Sequence, residues 1–239
     1  IRFLGNGIDL TRFRPDAVSP DQIAAKRREL GISPDEKLVG MIGRLVRLKG
    51  YFEYMKAAQL LHERGERIKF MSIGAAQDKA SVVSPQEMIA QYGLHDCLQF
   101  LGMRDDIPAL MAAMDGLVLA SYAEGIPRVL LEAAAMGKPA VGTDVRGTRE
   151  VIVDGETGFL VPPRDAPALA DAISRMVADP ARALVMGQAA RQRAESLYDE
   201  RFYFWRTDQE YRRLIEAKLT TDGLQDLEEL PLEAQRLPA

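Results

Sequence analysis

Short apolar runs alternate with helical patterns along most of this chain of 239 residues. Continuous apolar runs of this kind are typical of strands that are buried on both faces of a parallel sheet. Strands alternating with helices at this spacing predict right-handed crossovers. We therefore predict an α/β fold, with a Rossmann-like parallel sheet covered by helices on both faces. The six predicted strands are residues 38–42, 69–73, 98–101, 117–120, 139–142 and 158–161.

The segments between and after these strands have helical patterns. They predict helices at residues 51–63, 85–92, 107–114, 128–136, 148–151, 167–178 and 181–196. A final helix is predicted at residues 201–219, with Phe202, Trp205, Tyr211 and Leu214 as apolar anchors that pack against the rest of the fold. Residues 1–219 would then form one domain, and the acidic residues 220–239 a loosely held tail.

Composition narrows the classes of partner. Lys and Arg number 31 and Asp and Glu 35, for a net charge of −4, which does not favour a nucleic-acid partner. Cys97 is the single cysteine, so an internal disulfide is excluded and a reducing, cytoplasmic location is expected. The chain opens at Ile1 in the middle of a pattern, and we expect an N-terminal portion to lie outside it.

Cations and glycines follow the predicted strands at the ends where ligands bind open parallel sheets. Gly43, Arg44 and Lys49 come after the first strand. Arg offers a planar fork of donors and Lys a point charge, and both suit phosphate groups. The helix predicted from Arg128 adds free backbone amides and the positive end of its dipole. These groups together predict a diphosphate site, the alternative being that both cations are surface charges on a loop.

Two carboxylates, Glu124 and Glu132, bracket the start of that helix. Glu124 lies in the loop before the helix, and Glu132 lies on its otherwise apolar face. Because a glutamate is rarely buried without a partner, Glu132 should meet either a ligand or a cation. The cations considered are Arg44 and Lys49. In the first case the two carboxylates would hold two parts of one elongated ligand, since carboxylates accept hydrogen bonds from sugar hydroxyls.

Six short motifs occur in an order and spacing that resembles the C-terminal half of retaining GT-B glycosyltransferases of family 4. The resemblance covers residues 6–219. The motifs are Gly5-Asn6-Gly7-Ile8-Asp9; Gly43-Arg44-Leu45 with Lys49-Gly50; Phe100-Leu101-Gly102; Glu124-Gly125-Ile126-Pro127 with Leu131-Glu132-Ala133; Gly137-Lys138-Pro139; and Gly155-Glu156-Thr157-Gly158-Phe159-Leu160-Val161.

The resemblance implies a role for each part of the site. Arg44 and Lys49 would contact the diphosphate of a nucleotide-sugar donor, and Glu124 the hydroxyls of its sugar, these three being the catalytic set. Glu132 would hold the ribose, and the loop that follows Phe100-Leu101 would meet the base through its main chain. The implied donor-binding residues are Gly43, Arg44, Lys49, Gly102, Met103, Glu124, Gly125, Ile126, Pro127, Arg128, Val129 and Glu132.

The resemblance also implies the reaction and its partners. Such an enzyme, a hexosyltransferase, moves a sugar from a nucleotide-sugar donor to an acceptor held by an N-terminal domain that this chain lacks. The chain alone should therefore be inactive. No prosthetic group and no metal are expected. The alternatives considered are a nucleotide-sugar epimerase or glycan phosphorylase of the same architecture, and a stand-alone nucleotide-binding module.

A narrower resemblance concerns bacterial transferases that extend lipid-linked glycans for surface polysaccharides. It is based on Arg128, on residues 130–139 and on residues 143–151. It implies a UDP-sugar donor, a glycan or lipid-linked acceptor and peripheral association with the inner face of the membrane. Arg128 would approach the diphosphate, the alternative being an exposed arginine at a helix start. The oligomeric state is left open.

Overall fold

A computed structural model describes residues 6–75 and 84–222 of the chain. Its centre is one six-stranded sheet in the order β3-β2-β1-β4-β5-β6, in which every neighbouring pair is parallel. The predicted α/β fold is therefore confirmed, and each predicted strand is found within one residue or so of its predicted position. The strands are β1 (Lys37–Ile42), β2 (Ile68–Ile73), β3 (Leu98–Phe100), β4 (Gly116–Leu119), β5 (Ala140–Thr143) and β6 (Gly158–Val161).

The strands are apolar throughout because both faces of the sheet are covered. In β1, Val39 and Met41 belong to one hydrophobic core, whereas Leu38 belongs to the other. In β4, Val118 faces the first core and Leu117 the second. Successive side chains of a strand point to opposite faces, so each strand supplies both cores.

Nine α-helices surround the sheet in the described part of the chain. Two short 3-10 turns, Pro15–Ala17 and Arg47–Lys49, accompany them. The helices are α1 (Pro20–Glu29), α2 (Tyr51–Glu63), α3 (Pro85–Tyr92), α4 (Ile107–Ala113), α5 (Arg128–Ala135), α6 (Arg146–Val151), α7 (Ala166–Ala178), α8 (Pro180–Leu197) and α9 (Glu200–Asp222). None of the helices in this part of the chain is long and apolar enough to cross a membrane.

Helix α1 was not predicted from the sequence. It begins with a capping box, in which the Ser19 hydroxyl accepts from the Gln22 amide and the Gln22 side chain accepts from the Ser19 amide. None of its residues is buried, so it has no apolar stripe that periodicity could detect. The capping box was the available signal.

Helix α9 contradicts one expectation. Phe202, Trp205, Tyr211 and Leu214 were expected to pack against the fold, but they are between 51% and 64% exposed. The start of the helix is attached to the body, where the Glu200 amide donates to the Ile8 carbonyl at 3.1 Å. The helix also continues to Asp222, past its predicted end, and the rest of the predicted acidic tail lies outside the described residues.

Candidate functional site

The candidate residues gather at the point where the chain stops adding strands on one side of β1 and begins adding them on the other. β1 lies between β2 and β4, so the chain builds the sheet outward on one side of β1 and then crosses to the other. The loops that leave the carboxyl ends of β1 and β4 therefore meet at the crossing where open parallel sheets usually bind their ligands. Gly43, Arg44 and Lys49 lie in the β1 loop, and Glu124 and Gly125 in the β4 loop.

Lys49 and Glu124 form a direct contact between these two loops. The Lys49 Nζ atom lies 2.5 Å from Glu124 Oε1, and the two side chains are only 19% and 11% exposed. The partner of Lys49 is thus Glu124 rather than Glu132, so the alternative of a Lys49–Glu132 salt bridge is wrong. The structure places the cation predicted for phosphate beside the carboxylate predicted for sugar.

The β1 loop is held tightly against the β4 loop. The 3-10 turn containing Lys49 ends at Gly50, whose φ is +73° and where a Cβ atom would lie 2.0 Å from the Ala120 carbonyl oxygen. The Tyr122 amide donates to the Leu48 carbonyl at 2.9 Å. The loops that carry Lys49 and Glu124 are therefore fixed to each other by backbone contacts.

Helix α6 supports the β4 loop from the other side. A Cβ atom on Gly147 would lie 1.3 Å from the Gly125 carbonyl oxygen and 2.7 Å from that of Glu124. At Gly50 and Gly147, the absence of a side chain lets one loop approach another, which fixes the loop that carries Glu124.

Glu132 lies on α5, the helix that follows the β4 loop, and is partly buried. Burial raises the pKa of its carboxyl, and the guanidinium groups of Arg128 and Arg12 oppose that shift. Within residues 6–75 and 84–222, its carboxylate has no hydrogen-bond or ion-pair partner at contact distance. A carboxylate in this environment has acceptor capacity available for a ligand's hydroxyls.

The first turn of α5 follows the Glu124 loop directly. Pro127 is the residue before the helix, and no side chain caps the amides of the first turn, which begins with Arg128 and Val129. Amides at an uncapped helix start are free to bind an anion. The carbonyl of Ile126 accepts a hydrogen bond from the Asn6 side chain at 3.2 Å, which holds the approach to this helix.

The remaining candidates lie at neighbouring positions along the same sheet edge. Arg44 is exposed on the β1 loop, and Arg128 is exposed at the start of α5. Gly102 and Met103 form the loop after β3, where Met103 is 75% exposed. The Gly102 carbonyl accepts from the Gly74 amide at 2.9 Å, which joins this loop to the one after β2.

Sequence reasoning missed several residues that shape the site. Arg12 contributes positive charge near Glu132, and its guanidinium lies 5.3 Å from the centre of the Phe13 ring. Tyr122 holds the Glu124 loop through its amide. It lies two residues before the motif that begins at Glu124, but nothing in its spacing indicated a contact with another loop. No sequence signal indicated Arg12.

The chain matches a family model, characterised relatives and solved structures. The family model described as glycosyl transferases group 1 matches residues 22–193. D-inositol 3-phosphate glycosyltransferase of Corynebacterium urealyticum is 30% identical over 196 residues, which cover 79% of this chain and 45% of that protein. The capsular polysaccharide biosynthesis glycosyltransferase CapM of Staphylococcus aureus is 24% identical over 210 residues, covering 88% of this chain and 53% of that protein.

The same match extends to solved structures. The crystal structure of HepE from Anabaena in complex with UDP and glucose superposes with a TM-score of 0.80 and 28% identity. The superposition covers 87% of this chain and 55% of that one. The chain spans about half the length of each of these relatives.

Proposed function

We propose that this chain, which belongs to the glycosyl transferases group 1 family, is the donor-binding half of a retaining glycosyltransferase that uses a UDP-sugar. The observation that carries the proposal is the contact between Lys49 and Glu124 at the β1–β4 crossing. In this contact, the cation proposed for the phosphate lies beside the carboxylate proposed for the sugar, at the junction that a nucleotide-sugar would have to occupy. In this proposal residues 1–219 form the donor domain.

The diphosphate would lie between the β1 loop and the start of α5. Arg44 and Lys49 supply positive charge from one side, and the first-turn amides and Arg128 supply it from the other. A charge-assisted hydrogen bond is worth roughly 1.5–3 kcal/mol net. Two or three of them are enough to anchor a nucleotide diphosphate at micromolar to millimolar strength.

The two carboxylates would hold the sugars on either side of the diphosphate. Glu124 would accept from hydroxyls of the transferred sugar, with Gly125, Ile126 and Pro127 lending backbone groups. Glu132 would accept from the ribose hydroxyls. The base would lie toward Gly102 and Met103, while Gly43 and Val129 would line the phosphate channel.

The chemistry assigned to these residues is positioning and charge stabilisation. As the bond between the sugar and the diphosphate breaks, negative charge grows on the departing phosphate. Arg44, Lys49 and the start of α5 would face that charge in a fixed geometry. Independence from a metal ion is part of this proposal.

The acceptor and the setting of the reaction are also proposals. The acceptor would be a glycan or a lipid-linked glycan, held by an N-terminal half beyond this chain. The similarity to CapM, a glycosyltransferase of capsular polysaccharide biosynthesis, supports this choice. The enzyme would be cytoplasmic and would associate peripherally with the inner face of the membrane.

Calorimetric titration of the chain with UDP, GDP and ADP tests the donor site. We expect UDP to bind more tightly than the other two, and Glu132→Ala to weaken UDP by about tenfold or more, the value of one charged hydrogen bond. Glu156→Ala, which changes an exposed turn residue before β6, is the matched control and should leave the affinity unchanged. Preference for GDP or ADP would overturn the choice of UDP, and no binding of any nucleotide would overturn the donor site.

A further inference from the structure

Arg164 adopts a backbone conformation that its side chain disfavours. It lies in the turn between β6 and α7, and its φ is +64°. Among the described residues it is the one non-glycine with a positive φ. Left-handed backbone brings the Cβ atom close to the next carbonyl, so a side chain at such a position needs a compensating contact. Strain of this kind is concentrated at functional sites.

The contact that Arg164 makes is with Tyr122. The guanidinium carbon lies 4.8 Å from the centre of the Tyr122 ring, within the range of a cation–π interaction. The other end of the ring is also held, because the Tyr122 hydroxyl donates to the Glu53 carboxylate, whose two oxygens both lie at 2.8 Å. Burial and the Glu53 carboxylate raise the pKa of Tyr122 to about 12, so this hydroxyl keeps its proton at neutral pH.

Tyr122 is fixed by three different parts of the fold. Arg164 comes from the turn after β6, Glu53 from α2, and the Leu48 carbonyl, which accepts the Tyr122 amide at 2.9 Å, from the β1 loop. Glu124 follows only two residues later, and its carboxylate contacts Lys49 at 2.5 Å. The contacts of Tyr122 therefore tie the segment just before Glu124 to three other parts of the fold.

We propose that Arg164 is a positioning residue for the donor sugar. Its guanidinium packs on the face of the Tyr122 ring, and through that ring it fixes residues 121–125 and the Glu124 carboxylate. The assignment of Glu124 to the sugar rests on the proposed function. The contact itself explains why a strained arginine occupies a position whose backbone favours glycine.

Three variants and one control separate positioning from stability. Arg164→Gly relieves the backbone and removes the cation, so the chain should unfold at a temperature no lower than the wild type. Arg164→Lys keeps a cation within reach of the ring, and Tyr122→Leu removes the ring. Arg175→Ala is the matched control, because it removes a cation–π contact, to Phe159 at 4.4 Å, that does not involve Tyr122.

Amide hydrogen exchange of residues 121–125 is the first measurement, made without any nucleotide. A cation–π contact at an exposed site corresponds to roughly a two- to fivefold change in an equilibrium. We expect exchange to be faster by about that factor in Arg164→Gly and near the wild-type rate in Arg164→Lys and Arg175→Ala. In a chain that already carries Tyr122→Leu, Arg164→Gly should not increase the exchange rate of these residues further. Unchanged exchange in Arg164→Gly would overturn the proposal.

The second measurement isolates the sugar. Affinities are measured for UDP and for UDP-glucose, UDP-galactose and UDP-N-acetylglucosamine, and the donor that the wild type binds best is compared with UDP. Arg164→Gly should bind that UDP-sugar about two- to fivefold more weakly than the wild type does, whereas its affinity for UDP should be unchanged. An equal loss for UDP and UDP-sugar would overturn the sugar role. Failure of the wild type to bind UDP at all would instead count against the proposed function, with exchange still reporting on the Arg164–Tyr122 contact.

Discussion

At the scale of single residues, the two glutamates of the site have different surroundings. Glu124 is paired with Lys49, whereas Glu132 has only the longer-range influence of Arg128 and Arg12. A partly buried carboxylate without a close partner reduces the stability of the folded chain, because burial disfavours its charged form. A residue that is costly to the fold in this way is a good candidate for a ligand contact.

Replacing Glu132 with glutamine should separate stability from binding. Burial raises the pKa of Glu132 above its ordinary value of 4.5, so the folded chain keeps this proton to a higher pH than the unfolded chain. The stability contributed by the proton is therefore lost as the pH rises from 4.5 through the raised pKa. The glutamine of Glu132→Gln does not titrate. The unfolding temperature of this variant should therefore rise relative to that of the wild type as the pH increases across this range.

The same variant should bind UDP about tenfold or more weakly, since a neutral amide replaces a charged acceptor. Thermal unfolding between about pH 4 and pH 7 and calorimetry at pH 7 check the two halves of the prediction. Glu156→Gln, an exposed substitution in a turn, serves as the reference. Parallel pH profiles for Glu132→Gln and the wild type would contradict the assigned burial effect.

The sequence singled out candidate site residues, but it did not indicate which of them touch. Arg44, Lys49 and Glu124 could be singled out because charged residues next to glycines follow apolar strands. Glu132 could be singled out because it is a carboxylate on an otherwise apolar helix. The Lys49–Glu124 contact depends on β4 lying beside β1, and no spacing along the chain encodes that neighbour relation. Arg12 and Arg164 were missed for the same reason.

At the scale of elements, the site depends on loops that pack backbone against backbone. Helix α6 has only six residues, yet its backbone packs directly against the β4 loop. This packing is possible because Gly147 has no side chain where the Gly125 carbonyl lies. The loop therefore takes its shape from the start of α6 as much as from β4 and α5.

Gly147→Ala should displace the loop that carries Glu124. The added Cβ atom would lie 1.3 Å from the Gly125 carbonyl oxygen, so either α6 or the loop has to move. We expect a loss of about 1–3 kcal/mol of stability, as for other overpacked positions, together with weaker nucleotide binding. Urea unfolding and UDP titration measure the two effects.

Gly125→Ala provides the matched comparison for stability. It lies on the other side of the same contact, but its own added Cβ atom would have nothing within 4 Å. Its unfolding midpoint in urea should stay close to that of the wild type. A Gly147→Ala protein as stable as Gly125→Ala would show that the two loops can separate without cost.

Most elements were predictable because their signals are local, and α1 shows the limit of that reasoning. Strands β1 to β6 and helix α2 combine apolar runs with clear glycine and proline punctuation. Helix α1 has no buried residue, and Ile23 is only partly buried against the core. The helix therefore depends largely on its cap and on tertiary bonds such as that from Arg27 to the Ala113 carbonyl at 2.8 Å. A local capping box was present, but periodicity alone could not reveal the helix.

At the scale of the whole molecule, the family was confirmed whereas the strand order was not predictable. The motifs identified a glycosyltransferase half because their order along the chain is specific, and the family match bears this out. The order β3-β2-β1-β4-β5-β6 is a property of three-dimensional packing, and it is this order that places the β1 and β4 loops side by side.

Helix α9 stands apart from this packed body. After its first turns, from Phe204 to Ile215, its large apolar side chains are exposed. The attachment is at its start, where the Ile8 amide donates to the Tyr198 carbonyl at 2.7 Å and a Cβ atom on Gly7 would meet Glu200 at 2.4 Å. A helical segment without tertiary packing is only marginally stable in water.

A chain that ends at Arg206 should therefore keep the stability and the nucleotide affinity of the full chain. We expect its unfolding temperature to change by no more than about 2 °C, since less than about 1 kcal/mol of packing is removed. A chain that ends at Leu197 is the control, because it also loses the pairing of Ile8 with the start of α9 and should unfold several degrees lower. Amide exchange in residues 208–216 should be fast compared with α8. A large loss of stability on ending the chain at Arg206 would mean that the exposed apolar side chains of α9 pack against this domain in solution, as the sequence first suggested.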